Sequence, residues 1–125
     1  MRAILWKPEP DEHDYPAARD YLELVAPPSV AERVVAALRD APTVPKKSKD
    51  LLRASRLDAL EADNPHVAKD LRRIHDDVAL SPVLLVRGDP RHAMPLIVAD
   101  GYHRICAVHL VDENAEIQCR IVDLA

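Results

Sequence analysis

The chain predicts an α+β domain, and three patterns in it lead there. Val83-Leu84-Leu85-Val86 is a continuous apolar run bounded by Ser81-Pro82 and Gly88-Asp89-Pro90, and Leu96 to Ala99 follows as its partner. Such runs are typical of strands covered on both faces. Ile117, Cys119 and Ile121 alternate with Gln118 and Arg120, the period of a half-buried strand. Between and before these, Val67, Leu71, Ile74 and Val78 recur at helical intervals behind Asn64-Pro65. Asn is a good N-cap and Pro suits the first helical position, so a helix start is expected there.

Taken in order, residues 7–16 are rich in Pro and acid and read as an extended arm. Ala17 to Val25 is expected as a short helix carrying Tyr21, Leu22 and Val25. Ser29 and Glu32 have the spacing of a capping box, with Val30, Val34, Val35 and Leu38 behind it on one face. Pro42 and Pro45 end that unit. Residues 1–43 are too short to bury a core of their own and read as an acidic helical N-terminal extension, with the main domain at 44–125. Ser48 is expected to cap a further helix through Leu51, Leu52 and Arg56. Lys46, Lys47, Lys49, Arg53 and Arg56 form a basic run there, either a solvated helix face or a cationic rim for phosphate or nucleic acid. Repeats and low-complexity stretches are absent from the sequence.

The 125 residues amount to one domain, and the apolar share of 48% with 30% charged residues is ordinary for a globular protein. With no Phe and only Trp6, Tyr15, Tyr21 and Tyr102 as aromatics, the core must be built from Leu, Val, Ile and Ala. The net charge of −4 disfavours an extended DNA footprint, which needs a basic face. The acidity is uneven. Residues 1–43 hold five Arg/Lys against eight Asp/Glu, while residues 44–125 hold twelve against thirteen. Cys106 and Cys119 match no zinc or redox spacing and are expected as buried thiols in a reducing compartment. The N-terminal apolar run is too short for a signal peptide or membrane span, so a cytoplasmic protein with no membrane partner is expected.

The most informative segment is Asp100-Gly101-Tyr102-His103-Arg104, where a strand gives way to a glycine turn and a helix opens. Free N–H groups at a helix start, with a guanidinium beside them, suit a phosphate or other anion. Gly101 is expected to supply a positive φ or a close backbone approach. Arg104 is read as a phosphate ligand, with a structural salt bridge as the alternative. His103 either donates to phosphate or packs beneath the loop. Asp100 either takes part in chemistry or accepts N–H bonds from the turn. Tyr102 stacks on a base, hydrogen-bonds a substrate, or covers the loop. Lys69 and Arg87 are candidates to line the same cleft. His75, His92 and His109 show no ligand spacing, and the sequence carries no Walker loop, dinucleotide fingerprint or Ser–His–Asp pattern.

Four segments, "NPH" (64–66), "LSPVLLVR" (80–87), "LIVADGYHRICAVH" (96–109) and "AEIQCRIVD" (115–123), fall in the order of the start, strand, phosphate loop and closing strand of the ParB/sulfiredoxin-like superfamily. The chain resembles that superfamily from about Val44 to Asp123. The resemblance implies a small mixed β-sheet flanked by helices, here with the N-terminal helical extension added. ParB proteins carry a G-E-R-R type loop and N-P-R; this chain keeps only Gly101 and Arg104 of the former, has His66 in the latter, and lacks a following helix-turn-helix. Sulfiredoxins have G-C-H-R with a nucleophilic Cys, where this chain has Tyr102. The loop is most similar to the D-G-H-H-R of free-serine kinases, departing only at Tyr102. Those kinases also place an acid ahead of the preceding helix, where Glu61 and Asp63 fall.

The resemblance implies Glu61 as a general base and Asp100 as a residue orienting metal or substrate. It also implies Gly101, Tyr102, His103, Arg104, Asn64 and His66 as the phosphate- or nucleotide-binding set. The leading expectation is therefore a nucleotide- or phosphate-binding domain, with phosphoryl transfer by ATP or ADP and Mg²⁺ as its reaction and a phosphorylated small molecule as partner. The alternative is a non-enzymatic ParB-like module that binds a protein partner or DNA, with the basic run near Lys46 as the contact.

Overall fold

The computed structural model describes residues 3–124. Five helices and four strands form an α+β domain. Their order is α1 (Asp14–Leu22), α2 (Pro28–Asp40), β1 (Val44–Lys47), α3 (Ser48–Ser55), α4 (Pro65–His75), β2 (Val83–Val86), β3 (Ile97–Asp100), α5 (Tyr102–Val111) and β4 (Glu116–Val122). The sheet is mixed, in the order β1-β4-β2-β3. β4 runs antiparallel to β1 and parallel to β2, and β2 pairs antiparallel with β3. Among the described residues no helix is long and apolar enough to cross a membrane.

β2 is internal, as its uninterrupted apolar run predicts, and all four of its side chains are fully buried. They divide by the period-2 rule. Val83 and Leu85 join Val98, Ile117 and Cys119 on one face, beneath Leu51 and Leu52 of α3, Val67 and Ile74 of α4, and Ile105 and Val108 of α5. Leu84, Val86 and Ala99 face the other way, against Tyr15, Ala18 and Leu22 of α1 and Ala31, Val34, Val35 and Leu38 of α2. The domain is therefore three layers thick. Residues 14–40, expected as an appended extension, form the layer that covers the second face of the sheet. A sheet whose strands are apolar on both faces requires such a cover.

That layer is pinned from within by Arg120 of β4, only 7% exposed. Its Nη1 donates to the carbonyls of Arg39 (2.8 Å) and Leu38 (3.3 Å) and to the Tyr15 hydroxyl (3.2 Å), and its Nε donates to Thr43 Oγ1 (3.2 Å). A cation on the last carbonyls of α2 satisfies orphan acceptors and complements the helix dipole. The alternation read as a half-buried strand is thus correct in period, but its polar face is covered as well.

Several local expectations shift. α1 starts at Asp14, inside the segment read as an extended arm, and α2 starts at Pro28 behind Pro27 with no side-chain cap, so the Ser29–Glu32 capping box does not form. Ser48 opens α3 but spends its hydroxyl on the carbonyls of Asp112 and Glu113. Val78 lies past the end of α4 and is exposed. β1, Val-Pro-Lys-Lys, was not anticipated as a strand; Pro45 and two exposed lysines suit an edge position, where an unpaired N–H side and charge discourage further pairing. Asn64 caps α4 as expected, its Oδ1 accepting from His66 N (2.9 Å) and Val67 N (3.2 Å).

Candidate functional site

β3 ends at Asp100, Gly101 turns the chain, and α5 begins at Tyr102. Gly101 has φ +114°, which side chains other than hydrogen rarely tolerate, and a Cβ there would lie 2.4 Å from Val83 Cγ1. The tight turn sets the first turn of α5 directly at the end of the sheet. No side chain caps α5, in contrast to α4, where Asn64 takes the first N–H groups.

This end of the sheet opens into a cleft of about 440 Å³. α4 contributes His66, Lys69, Asp70 and Arg73; α5 contributes Tyr102, His103 and Arg104; the far wall is Lys7, Asp11, His13 and Asp14. The start of α1 and the segment leading into it, from the helical layer on the other face of the sheet, therefore reach around to form one side of the cleft. His66 and His103 face each other with ring centroids 4.8 Å apart, and Tyr102 lies 5.5 Å from His103. Burial, seconded by the neighbouring His66, holds the His103 imidazole below the ordinary histidine range, while Asp70 opposes this. The Tyr102 hydroxyl donates to the carbonyl of Asp58 at 2.6 Å, which tethers the loop before α4 to the start of α5.

Arg104 is engaged by the fold. Its Nη2 donates to Asp100 Oδ2 at 2.5 Å, and its Nη1 donates to the Ser81 carbonyl at 2.6 Å and to Asp14 Oδ2 at 3.3 Å. Ser81 closes the network, its hydroxyl donating to Asp14 Oδ2 at 2.5 Å and accepting from Asp11 N at 2.9 Å. Of the two readings of Arg104, the geometry shows the structural ion pair. Asp100 likewise serves as the partner of Arg104. Burial raises its carboxyl above the ordinary aspartate value of 3.8, the Arg104 charge pulls it back, and Asp14 raises it again.

The other expected site residues divide in two. Gly101, Tyr102, His103, Arg104, Asp100 and His66 come together at the cleft, as does Lys69. Asn64 is spent as a cap, and Glu61 is exposed outside the lining, its carbonyl accepting from Asn64 N. Arg87 is away from the cleft, paired with Asp123 at 2.5 Å. Sequence reasoning missed Asp14, Ser81, Asp70 and Arg73. The only signal for Asp14 was an acidic residue in a segment read as an arm; nothing local could show that it meets Arg104 across 90 positions. Asp11, His13 and Asp14 bring potential ligand atoms within 4.8 Å of one another. Two carboxylates are donors of the hard type that Mg²⁺ takes, although Lys7 and the Ser81–Arg104 pair already hold them.

Compared with protein-family models, curated proteins and solved structures, the chain matches none of them.

Proposed function

We propose that this protein is a ParB/sulfiredoxin-like domain that binds a nucleotide or another phosphorylated small molecule at the cleft between α4 and α5. The observation that carries the reading is the convergence of His66, Lys69, His103 and the uncapped first turn of α5 on one cleft of about 440 Å³. Imidazoles, an ammonium and helix N–H groups are the donors from which phosphate sites are built. The order of the elements from β1 to β4 supports the same reading, and three of the four family-like segments, 64–66, 80–87 and 96–109, contribute residues to the cleft lining.

Phosphoryl transfer with Mg²⁺ is the reaction class that fits the site. Its carboxylates would be Asp11, Asp14 and Asp70, which line the cleft, and not Glu61, which does not. A cytoplasmic setting accords with Cys106 and Cys119 as buried free thiols. Calorimetric titration with ATP, ADP and CTP, with and without Mg²⁺, tests the reading. Saturable binding that weakens in Lys69→Ala is the expected outcome, and no heat from any nucleotide over the mildly acidic to neutral range overturns it.

The alternative of a module that contacts DNA draws on one observation, the exposed Lys46 and Lys47 on the open edge of the sheet with exposed Lys49 beside them. Binding to duplex DNA that falls with salt and with neutralisation of these three lysines would favour it.

A further inference from the structure

The fixed charges of the cleft cancel. Four cations line it, Lys7, Lys69, Arg73 and Arg104, and four carboxylates answer them, Asp11, Asp14, Asp70 and Asp100. Most are held in pairs by the fold. Lys7 Nζ meets Asp11 at 2.7 Å, Arg73 meets Asp70 at 2.7 Å, and Arg104 is shared between Asp100 and Asp14. What remains to set the sign of the cleft is its histidines, and histidine is the side chain whose charge changes near neutral pH. Two of them, His66 and His103, sit 4.8 Å apart on the neighbouring helices α4 and α5, each in the first turn of its helix.

We propose that the cleft is a pH-gated site for a dianionic oxyanion of the phosphoryl class, in which His66 and His103 together form the receptor and affinity for the dianion rises as the solution becomes mildly acidic. The inference rests on the phosphate-binding reading above and adds to it the pair that recognises the dianion and the condition under which it does so.

The surroundings of the pair favour this gating. From α4, Lys69 adds one positive charge, while Asp70 is neutralised by Arg73. From α5, Arg104 is shared between Asp100 of β3 and Asp14 of α1, so that network carries one net negative charge, which the charge of Lys69 balances. His13 stands on the far wall with its Nε2 3.4 Å from Asp14. Tyr102 is neutral and held by the Asp58 carbonyl. Burial first, and then the neighbouring His66, hold the His103 imidazole below the ordinary histidine range, with Asp70 acting against them.

Two imidazolium rings at this spacing repel each other, and a dianion bound against both removes the repulsion. Proton uptake and anion binding are then linked, each strengthening the other by the same factor. A monoanion relieves less of that repulsion and gains less.

The test uses the full chain and two probes, inorganic sulfate, which stays a dianion throughout the range, and ADP. Affinity is measured by calorimetry at about pH 7.5 and about pH 5.5, either side of the ordinary histidine value near 6.5. Sulfate is expected to bind at least about tenfold tighter at the lower pH, the change produced when one histidine shifts by about one pH unit on binding. His66→Gln and His103→Gln are each expected to reduce that ratio, and the double variant to remove it. The imidazole proton resonances of the wild type are expected to titrate at higher pH when sulfate is present, a readout that needs no variant to fold. Equal affinity at the two pH values, or imidazole titrations unmoved by sulfate, overturns the gate while leaving the binding reading standing. A double variant that is folded and keeps the full pH ratio overturns the assignment to this pair. Failure of both sulfate and ADP to bind at either pH overturns the gate and the phosphate reading together.

Discussion

Arg104 and Asp100 meet at 2.5 Å across the glycine turn, an i,i+4 pair whose guanidinium also reaches Asp14 on α1 at 3.3 Å. One side chain of α5 thereby locks the end of β3, the entry to β2 through the Ser81 carbonyl, and the first turn of the opposite helical layer. The pair lies at the base of the cleft and holds its two walls in register.

Removing Arg104 leaves two largely buried carboxylates facing each other without a counter-charge. Arg104→Ala is expected to cost about 3 kcal/mol, in the range measured for breaking one partner out of a buried ion pair. Urea denaturation checks this. A loss below about 1 kcal/mol, the size of a surface ion pair, would show that the network contributes little.

Asp100 carries a pH signature. Its folded carboxyl is raised above the ordinary 3.8 by burial first, with Arg104 acting against it. A raised folded value means that the native state holds this proton more firmly than the unfolded chain. Its stabilising contribution is therefore complete below the unfolded value and is lost as pH rises through the folded one. The carbon-13 carboxyl resonance of Asp100 is expected to titrate above the unfolded-chain position, and the stability of wild type relative to Asp100→Asn to improve as pH falls through that window. A carboxyl that titrates below the ordinary value would mean that the Arg104 charge outweighs burial.

Gly101→Ala combines a disfavoured φ of +114° with a Cβ placed 2.4 Å from Val83 Cγ1. Backbone strain alone is worth about 1–3 kcal/mol. Because β2 is buried on both faces, Val83 has little room to yield. The variant is expected to lose more than about 2 kcal/mol in urea denaturation and, on the proposed phosphate-binding reading, to weaken nucleotide binding by displacing the first turn of α5.

If α1 and α2 are a structural layer, a fragment of residues 44–125 exposes Leu84, Val86 and Ala99 on a bare sheet face and strands Arg120 without the carbonyls of Leu38 and Arg39. The fragment is expected to lack a cooperative thermal transition and to bind hydrophobic dye. A fragment with dispersed amide resonances and a sharp melt would assign the whole stability to the remaining layers.

The elements with strong local signals were legible. The apolar run of β2, its partner β3, the alternation of β4 and the Asn64-Pro65 start of α4 stand within one to three residues of where pattern and capping chemistry put them. Weakly marked elements were not. β1 carries no strand pattern, only Pro45 and the start of a basic run read as a helix face or a cationic rim, and it becomes a strand because β4 offers an edge, while the Ser29–Glu32 box lost to Pro27-Pro28, which sets the start of α2 earlier.

By itself the sequence determined that the chain is an α+β domain, that a glycine turn joins β3 to α5, and that His103 and Arg104 sit at a helix start beside Asp100. Only the tertiary structure decided what those residues do. Whether Arg104 faces solvent or a carboxylate depends on Asp14, 90 positions away, and whether residues 14–40 are appendage or layer depends on which sheet face they cover. Periodicity is a local property of the backbone and survives in the sequence, whereas charge pairing and burial are set by long-range closure of the chain. The loop that promised an arginine-centred anion pocket is thereby divided into a locked ion-pair base and a histidine-lined mouth.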